Sequence, residues 1–302
     1  MNFSNIWKGN MPTAVLLLAA IGMTVWSFLS GNAVSTGSPE ITLLSGIILL
    51  IVGLAAGTLG GIIGTGGCSV MLPILHFWLG YPAPIAIGTT LFAVIFTAIS
   101  GGLGHLIRRN LDKRATLWLG GLGIVGVILG SWLFGILVNQ TALLGLILGL
   151  AFLLPAIRMT WEGIMHRKKT QQEGNTIPGS KAALGAFGLV IGILTGLVGL
   201  GGGYALVPGL IYLFGAPVYI TMGTSLAAMI PLALVGGGIK LAQGFVALGA
   251  GLLLAIGTII GAQIGAAVIK RFKPTMLKLI FGIYFLYVSL KFIFAYFGIM
   301  IW

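Results

Sequence analysis

The sequence predicts an all-α integral membrane protein, and its hydropathy, its glycines and an internal duplication support this fold class. Among 302 residues, 58% are hydrophobic and only 7% are charged, and the mean hydropathy is +1.13. A soluble domain carries roughly 25% charged residues, so this chain has too few to keep its surface hydrated. We therefore expect many membrane-spanning helices.

Glycine accounts for 50 of the 302 residues and follows no collagen period. Small residues let membrane helices approach each other closely, and a glycine can also break a helix inside the membrane. Most of these glycines are therefore expected at helix contacts, and a few at breaks.

The net charge of +12 is expected to reflect membrane topology. Basic residues cluster in three short connections, as the positive-inside rule describes for cytoplasmic loops. The clusters are Arg108, Arg109, Lys113 and Arg114; Arg158, Arg167, Lys168, Lys169 and Lys181; and Lys270, Arg271, Lys273 and Lys278. Membrane lipid, and no nucleic acid, is the expected partner of these charges.

The first apolar run, Met11–Leu29, is long enough to span a membrane and is expected to be an uncleaved helix. Cys68 is the single cysteine, so no disulfide can form within the chain. The three histidines, His76, His105 and His166, lack the spacing of metal ligands. We expect neither a metal nor another cofactor.

The chain contains an internal duplication. A shift of 135 residues aligns Gly53–Gly130 with Gly188–Gly265 without a gap, and 28 of the 78 pairs are identical. Twelve of these are Gly on Gly, which the composition favours. Composition does not readily explain the other matches, which include Pro73 with Pro208, Pro82 with Pro217, and Gly88–Leu91 with Gly223–Leu226.

The duplication divides the chain into four parts: an N-terminal helix and outer loop at 1–40, a first repeat at 41–161, a polar cytoplasmic linker at 162–181 and a second repeat at 182–302. Each repeat contains five apolar segments. They are Ile41–Leu59, Cys68–Leu79, Pro82–Ile107, Ala115–Leu137 and Thr141–Trp161, then Ala182–Val198, Gly203–Phe214, Pro217–Leu241, Val246–Ile269 and Thr275–Phe297.

The second segment of each repeat is too short to cross the bilayer as a helix. About twelve residues make roughly 18 Å of helix, whereas the hydrocarbon core is roughly 30 Å thick. With the preceding segment it is expected to form a glycine-broken or re-entrant hairpin, followed by three transmembrane helices. Such a hairpin, like two full crossings, returns the chain to one side. Each repeat then makes an odd number of net crossings, so the second repeat is expected to be inverted.

One topology satisfies both the inversion and the charge rule. It places the amino terminus and the three basic clusters in the cytoplasm and the carboxyl terminus outside. The expected location is the cytoplasmic membrane of a bacterium or archaeon.

Two glycine-rich stretches lie at the predicted breaks: GIIGTGGCSVMLPIL from Gly61 to Leu75 and GLVGLGGGYALVPGL from Gly196 to Leu210. Inverted repeats with interrupted helices are typical of secondary transporters. A helix that begins within the membrane offers free N–H groups and the positive end of its dipole, and glycine lets a small anion reach them. The expected substrate-binding residues are Gly64, Thr65, Gly66, Gly67, Cys68, Ser69, Thr89, Thr90, Gly199, Gly201, Gly202, Gly203, Tyr204, Thr224 and Ser225.

Other interpretations of these residues stay open. The glycines could serve only to pack helices, and the hydroxyls could bond their own backbones. His105 and Lys240 occupy equivalent ends of the third segments and are candidate entrances or gates for an anion. Their alternative role is anchoring to lipid headgroups.

The two stretches, each followed by a helix that carries Gly-Thr-Thr or Gly-Thr-Ser, resemble the TauE/SafE family of sulfite and organosulfonate exporters. The resemblance extends over Ile41–Phe297. It implies a permease for sulfite, thiosulfate, sulfonates or similar small anions, and not an enzyme. The chain departs from the family signature at Cys68, where a third glycine is expected and where the second copy keeps Gly203. This departure bears on substrate preference.

An anion channel built on the same repeat is the nearest alternative function, and a membrane-embedded enzyme is a more distant one. The enzyme would need a nucleophile with a base, a metal cluster or a carboxylate pair within the membrane. The four acids, Glu40, Asp112, Glu162 and Glu173, are instead expected in or beside connecting loops. The sequence leaves open the anion, its direction of movement, a coupling ion and a homo-oligomeric state.

Overall fold

The computed structural model describes residues 3–33, 37–165, 174–199, 201–269 and 274–299, and these residues form helices and short connections. The helices are α1 Phe3–Leu29, α2 Leu43–Ile63, α3 Cys68–Pro73 (continued by a π-helical turn, Ile74–Trp78), α4 Ala83–Ile107, α5 Lys113–Leu137, α6 Thr141–Ile164, α7 Lys181–Val198, α8 Gly203–Leu213, α9 Val218–Ala242, α10 Leu248–Val268 and α11 Pro274–Tyr296. No β-strand occurs in the described part of the chain.

Several helices are long and apolar enough to cross a membrane. Over the described residues there are seven of them: Met11–Leu29 within α1, then α2, α4, α5, α7, α9 and α10. Large apolar side chains such as Leu18, Leu43 and Leu117 point outward and are 69%, 85% and 72% exposed. A surface of this kind needs lipid around it, so the prediction of an all-α, multi-pass membrane protein is confirmed.

The two short helices are as short as the sequence predicts. The helical segments Cys68–Trp78 and Gly203–Leu213 have 11 residues each, which is below the length needed to span the bilayer. The first of them changes to π-helical bonding after Pro73, where Leu79 N donates to Ile74 O at 2.9 Å. Pro73 has no N–H to donate to the preceding turn, but Pro208 at the equivalent position lies within a regular α8, so the proline alone does not produce the π-helical turn.

Two glycine-lined seams join helices from different halves of the chain. Along α2 and α10, a Cβ added to Gly57 would lie 2.6 Å from the Thr258 backbone, and one added to Gly61 would lie 2.6 Å from Ala262 O. The residue numbers increase together on both helices, so α2 and α10 run parallel with their backbones in contact. The seam between α5 and α7 has the same geometry.

The seam contacts recur at an offset of 135 residues. Gly192 faces Gly123 just as Gly57 faces Thr258, and Gly196 faces Val127 just as Gly61 faces Ala262. The first helix of each repeat therefore packs against the fourth helix of the other repeat, and the two contacts use equivalent residues.

Helices α4 and α9 cross at the centre of the molecule and run in opposite directions. A Cβ on Gly101 would lie 3.0 Å from Leu226, near the start of α9, whereas a Cβ on Gly237, near its end, would lie 3.2 Å from Phe92 Cα. These two helices occupy equivalent places in the duplication. The equivalent central helices are therefore antiparallel.

Asp112 joins the α4–α5 connection to the linker. Its side chain caps α5 by accepting from Arg114 N and Ala115 N, and its second oxygen accepts from Ile177 N at 2.7 Å. Arg114 in turn donates to Gly179 O at 2.6 Å. The basic cluster of this connection is thus described, whereas Arg167, Lys168, Lys169, Lys270, Arg271 and Lys273 lie outside the described residues.

The structure differs from the sequence analysis at Glu162. Helix α6 continues to Ile164 rather than ending at Trp161, so Glu162 lies within its last turn. Its carboxylate accepts from the Tyr212 hydroxyl on α8 at 2.6 Å and lies 3.5 Å from Arg158. Because Tyr212 and Arg158 both bind the carboxylate, Glu162 is accommodated in the helix, although the sequence analysis assigns it to the polar linker.

Candidate functional site

The two glycine stretches form left-handed breaks at equivalent positions. Gly64 ends α2 and Gly67 precedes α3, while Gly199 ends α7 and Gly202 precedes α8. With Gly66 and Gly201, these six residues have φ between +65° and +82°. Such values are costly for any residue with a side chain, so the breaks require glycine for conformational reasons alone.

The breaks also bring the two stretches into direct contact. We call residues 64–67 the first glycine loop and residues 199–202, of which Leu200 lies outside the described residues, the second. A Cβ on Gly203, the first residue of α8, would lie 2.5 Å from Thr65 Cα and 2.8 Å from Gly64 O. The start of α8 therefore packs directly on the first glycine loop.

Met229 lies between the two loops, at the middle of α9. Its Cε would be 2.8 Å from a Cβ on Gly201, and its Sδ 2.7 Å from one on Gly203. It also reaches Gly66 in the first loop. Val94, its equivalent on α4, contacts Gly66 and Gly201 as well, so the same two side chains meet both loops.

Helical bonding leaves the first N–H groups of α3 and α8 outside their own helices. Val70 and Met71 donate to Gly67 O, and Ala205 and Leu206 donate to Gly202 O. The preceding residues, Cys68 and Ser69 in α3 and Gly203 and Tyr204 in α8, come before the first helical N–H to carbonyl bond of their own helix.

The hydroxyl residues divide into two groups. Ser225 lies at the loops, because its Oγ donates to Gly64 O at 2.8 Å. The Thr90 hydroxyl donates to Ala86 O of its own helix at 2.6 Å, which agrees with the alternative that the hydroxyls bond their own backbones. Thr89 and Thr224 are turned away: they accept from Ala247 N and Asp112 N, each at 2.9 Å, and so fasten the α9–α10 and α4–α5 connections.

Cys68, Ser69 and Tyr204 lie at the starts of the two short helices and are all buried. Cys68 Sγ donates to Thr65 O at 3.3 Å, which ties the first turn of α3 to its own loop. Ser69 O accepts from the Tyr284 hydroxyl on α11 at 3.0 Å. Helix α11 thus contacts the start of α3 through this bond.

His105 and Lys240 are completely buried, so neither side chain is exposed to lipid headgroups. His105 Nε2 donates to Gly61 O at 3.0 Å, near the end of α2. Lys240 Nζ lies over the Phe134 ring, 3.1 Å from its centre. In this conformation both are inside the helix packing, which disfavours the headgroup-anchoring alternative.

The sequence analysis missed Met229 and Val94. Each stands six residues after the Gly of the Gly-Thr-Thr/Ser motif in its repeat, and the two align at the offset of 135. Both are ordinary apolar residues in apolar helices. Only their equivalence and their central position could have singled them out.

The described residues contain no group of three His, Cys, Asp or Glu side chains that could hold a metal ion. The site thus consists of backbone amides, a few hydroxyls and apolar side chains, enclosed in a bundle of membrane-spanning helices. Interrupted helices that meet between two halves of a chain are typical of multi-pass membrane transporters.

Comparison with known proteins identifies the family. The family model described as "Sulfite exporter TauE/SafE" matches residues 48–292, and the chain belongs to this family. It is 29% identical to "Probable membrane transporter protein YdhB" of Bacillus subtilis over 77% of this chain and 94% of that protein. It is 27% identical to a "Probable membrane transporter protein" of Methanocaldococcus jannaschii over 77% and 89%. No solved structure matches the chain.

The family and these relatives are membrane transporters, which confirms the predicted family, the transporter class and the expectation that the protein is not an enzyme.

Proposed function

We propose that this transporter carries small sulfur-containing anions, such as sulfite, thiosulfate or sulfonates, and binds them between the two glycine loops. The observation that carries the proposal is the meeting of both loops on Met229 and Val94, at the middle of the antiparallel pair α4 and α9. The description of the family as sulfite exporters supports the choice of substrate.

The chemistry of the loops suits a small oxyanion. The starts of α3 and α8 carry the positive ends of two helix dipoles, which favour a bound anion without a fixed counter-charge. A site built from neutral donors in a dry interior binds an anion and still releases it, because no full counter-charge holds it. Gly66 and Gly201 keep the approach free of side chains.

The loops must separate for an anion to enter. Gly203 rests on the first loop, and the Met229 thioether occupies the space that remains between the loops. Methionine has three rotatable bonds and adapts to different cavities. Rotation of Met229 together with a small displacement of α8 would therefore admit the substrate.

Alternating access would follow from an inverted repeat. The antiparallel α4 and α9, and the helix contacts that recur at an offset of 135 residues, support two units of opposite orientation at 41–161 and 182–302. The basic residues of the α4–α5 connection favour a cytoplasmic amino terminus, a cytoplasmic linker at 162–181 and an outer carboxyl terminus. Rocking of one unit against the other would expose the loops to each side in turn.

The first experiment measures sulfite and thiosulfate flux into proteoliposomes. Saturable flux and counterflow are expected of a carrier, whereas flux that rises linearly with concentration and lacks counterflow would indicate the alternative, an anion channel. Flux of neither anion would contradict the substrate proposal.

Gly203→Ala is the sharpest variant for locating the site. Gly203 has an ordinary helical φ, so the added methyl costs nothing in backbone strain, yet it would press on Thr65 of the opposite loop. We expect flux to fall by about tenfold or more. Gly121→Ala in α5 is the matched control, because a Cβ there meets nothing within 4 Å. Equal flux in the two variants would argue against a site between the loops.

A further inference from the structure

Lys240 is a buried cation that the loop site does not use. It lies in the last turn of α9, is fully buried, and its Nζ has no hydrogen-bond partner among the described residues. We propose that Lys240 and Ser131 form a second anion-binding subsite between α5 and α9, in the final third of both helices. This inference rests on the proposed function, because the ligand is the same transported anion.

Ser131 is the second unsatisfied donor at this place. It is 1% exposed, and its Oγ has no hydrogen-bond partner in the described part of the chain. Helices α5 and α9 run in parallel register, since Gly123 meets Leu232 and Gly236 meets Val127. Four residues after Gly236 and Val127, this register places Lys240 of α9 level with Ser131 of α5.

The aromatic surroundings explain how the ammonium is tolerated without a counter-ion. Lys240 Nζ lies 3.1 Å from the centre of the Phe134 ring, and Phe134 stands edge-on to Phe245 at 5.3 Å between centroids. Phe134 follows Ser131 by three residues, so the two share a face of α5. A ring face attracts the cation but cannot accept all three N–H bonds, so donor capacity remains for an oxyanion.

The subsite adjoins the second glycine loop. A Cβ on Gly196, in the last turn of α7, would lie 2.6 Å from Ser131 N, and the second glycine loop begins at Gly199, three residues later. An anion that leaves the loops on this side therefore meets the buried ammonium next. Sulfite or thiosulfate has enough oxygen atoms to accept from the ammonium and the hydroxyl together.

The other repeat lacks this arrangement. His105 occupies the position equivalent to Lys240, and its Nε2 already donates to Gly61 O. Ala266 occupies the position equivalent to Ser131. The lysine is thus on one side of the loops only, which makes the two access routes chemically different.

The test compares Lys240→Met and Ser131→Ala with wild type in detergent and in proteoliposomes. The measurements are the dissociation constants for sulfite and thiosulfate, the substrate concentration at half-maximal flux and the thermal midpoint without anion. Lys240→Met is expected to weaken binding by about tenfold or more and Ser131→Ala by about threefold to tenfold. The anion-free midpoint of Lys240→Met should not fall, because the variant removes an unpaired buried charge.

Lys291→Met is the matched control. Lys291 also lies over aromatic rings, 4.6 Å from the centre of Phe77, but it is hydrogen-bonded to the Tyr287 hydroxyl. Its loss should leave anion affinity unchanged. Ser131→Ala decides the question if Lys240→Met does not fold, because it leaves the charge in place.

Wild-type affinity in Lys240→Met or in Ser131→Ala would overturn the subsite alone. So would a lowered anion-free midpoint with unchanged affinity, since that pattern marks a purely structural contact between Lys240 and Phe134. Absence of binding by wild type would overturn the proposed function, and the subsite with it.

Discussion

At the scale of single residues, equivalent positions in the two repeats have diverged where the loops meet. Cys68 and Gly203 align, and a Cβ at the glycine position would press on Thr65 of the opposite loop. Cys68 instead turns its sulfur toward Thr65 O within its own loop. Val94 and Met229 diverge in the same manner, with the longer side chain on α9. The site is therefore asymmetric in its side chains although its backbone repeats.

Met229→Ala tests the role of the thioether between the loops. Truncation of a buried methionine costs about 2–5 kcal/mol of stability, and it would enlarge the space at Gly66 and Gly201. We expect a lower thermal midpoint together with a higher ratio of sulfoacetate or taurine uptake to sulfite uptake in proteoliposomes. Met159→Ala, a buried methionine in α6, should lower the midpoint without changing that ratio. An unchanged ratio in Met229→Ala would mean that Met229 does not limit substrate size.

At the scale of helices, the glycine seams hold the halves together. Backbone-to-backbone contact along α2 and α10 and along α5 and α7 leaves no room for a methyl group at Gly57 or Gly192. Membrane helices gain little from apolar burial against each other, because lipid is equally apolar, and close packing is what binds them. These parallel seams form rigid pairs, each with one helix from either repeat.

Gly57→Ala is expected to weaken the α2–α10 seam. An alanine has better helix propensity than glycine by about 1 kcal/mol, yet its Cβ would lie 2.6 Å from the Thr258 backbone and force the helices apart. The thermal midpoint of the purified protein should therefore fall by several degrees. In Gly135→Ala, where the Cβ meets nothing within 4 Å, the midpoint should stay or rise. A stable Gly57→Ala variant would show that the seam can yield.

The sequence predicted the helices closely, because their ends carry strong local signals. The predicted segments Cys68–Leu79 and Gly203–Phe214 agree with the observed helices within a residue or two, since glycine breaks bound them on one side and a Gly-x-Pro or Gly-Ala-Pro turn on the other. The extension of α6 through Glu162 was not predictable, because it depends on Tyr212 from a distant helix.

The site was predictable only in its backbone. Positive φ at the glycines follows from the sequence, but the direction of each hydroxyl depends on which helix lies opposite. Thr89 and Thr224 read as donors for substrate, yet they fasten connections from the other repeat. The burial of Lys240 against Phe134 likewise arises from the packing of α5 on α9, which no local pattern records.

At the scale of the whole molecule, few carboxylates are present that could couple transport to an ion gradient. The chain has four acidic residues, and in the described helices Glu162 is engaged by Tyr212 and Arg158 at the end of α6. Asp112 caps α5 and holds the linker. Intramembrane carboxylates are the common devices for H⁺ or Na⁺ coupling, so the membrane potential is the simplest remaining driving force.

We therefore expect electrogenic export without ATP. Moving one charge across 100 mV is worth about 2.3 kcal/mol, so an inside-negative potential favours outward movement of a monoanion by a concentration ratio of about fiftyfold, and of a dianion by about the square of that. The measurement is sulfite efflux from proteoliposomes under an imposed potassium diffusion potential, with equal pH on both sides. Glu162→Gln, which keeps an oxygen for the Tyr212 hydroxyl, should respond to the potential as wild type does. Efflux that ignores the potential but follows a proton gradient would instead identify a proton-coupled carrier, and loss of that response in Glu162→Gln would assign the coupling to this carboxylate.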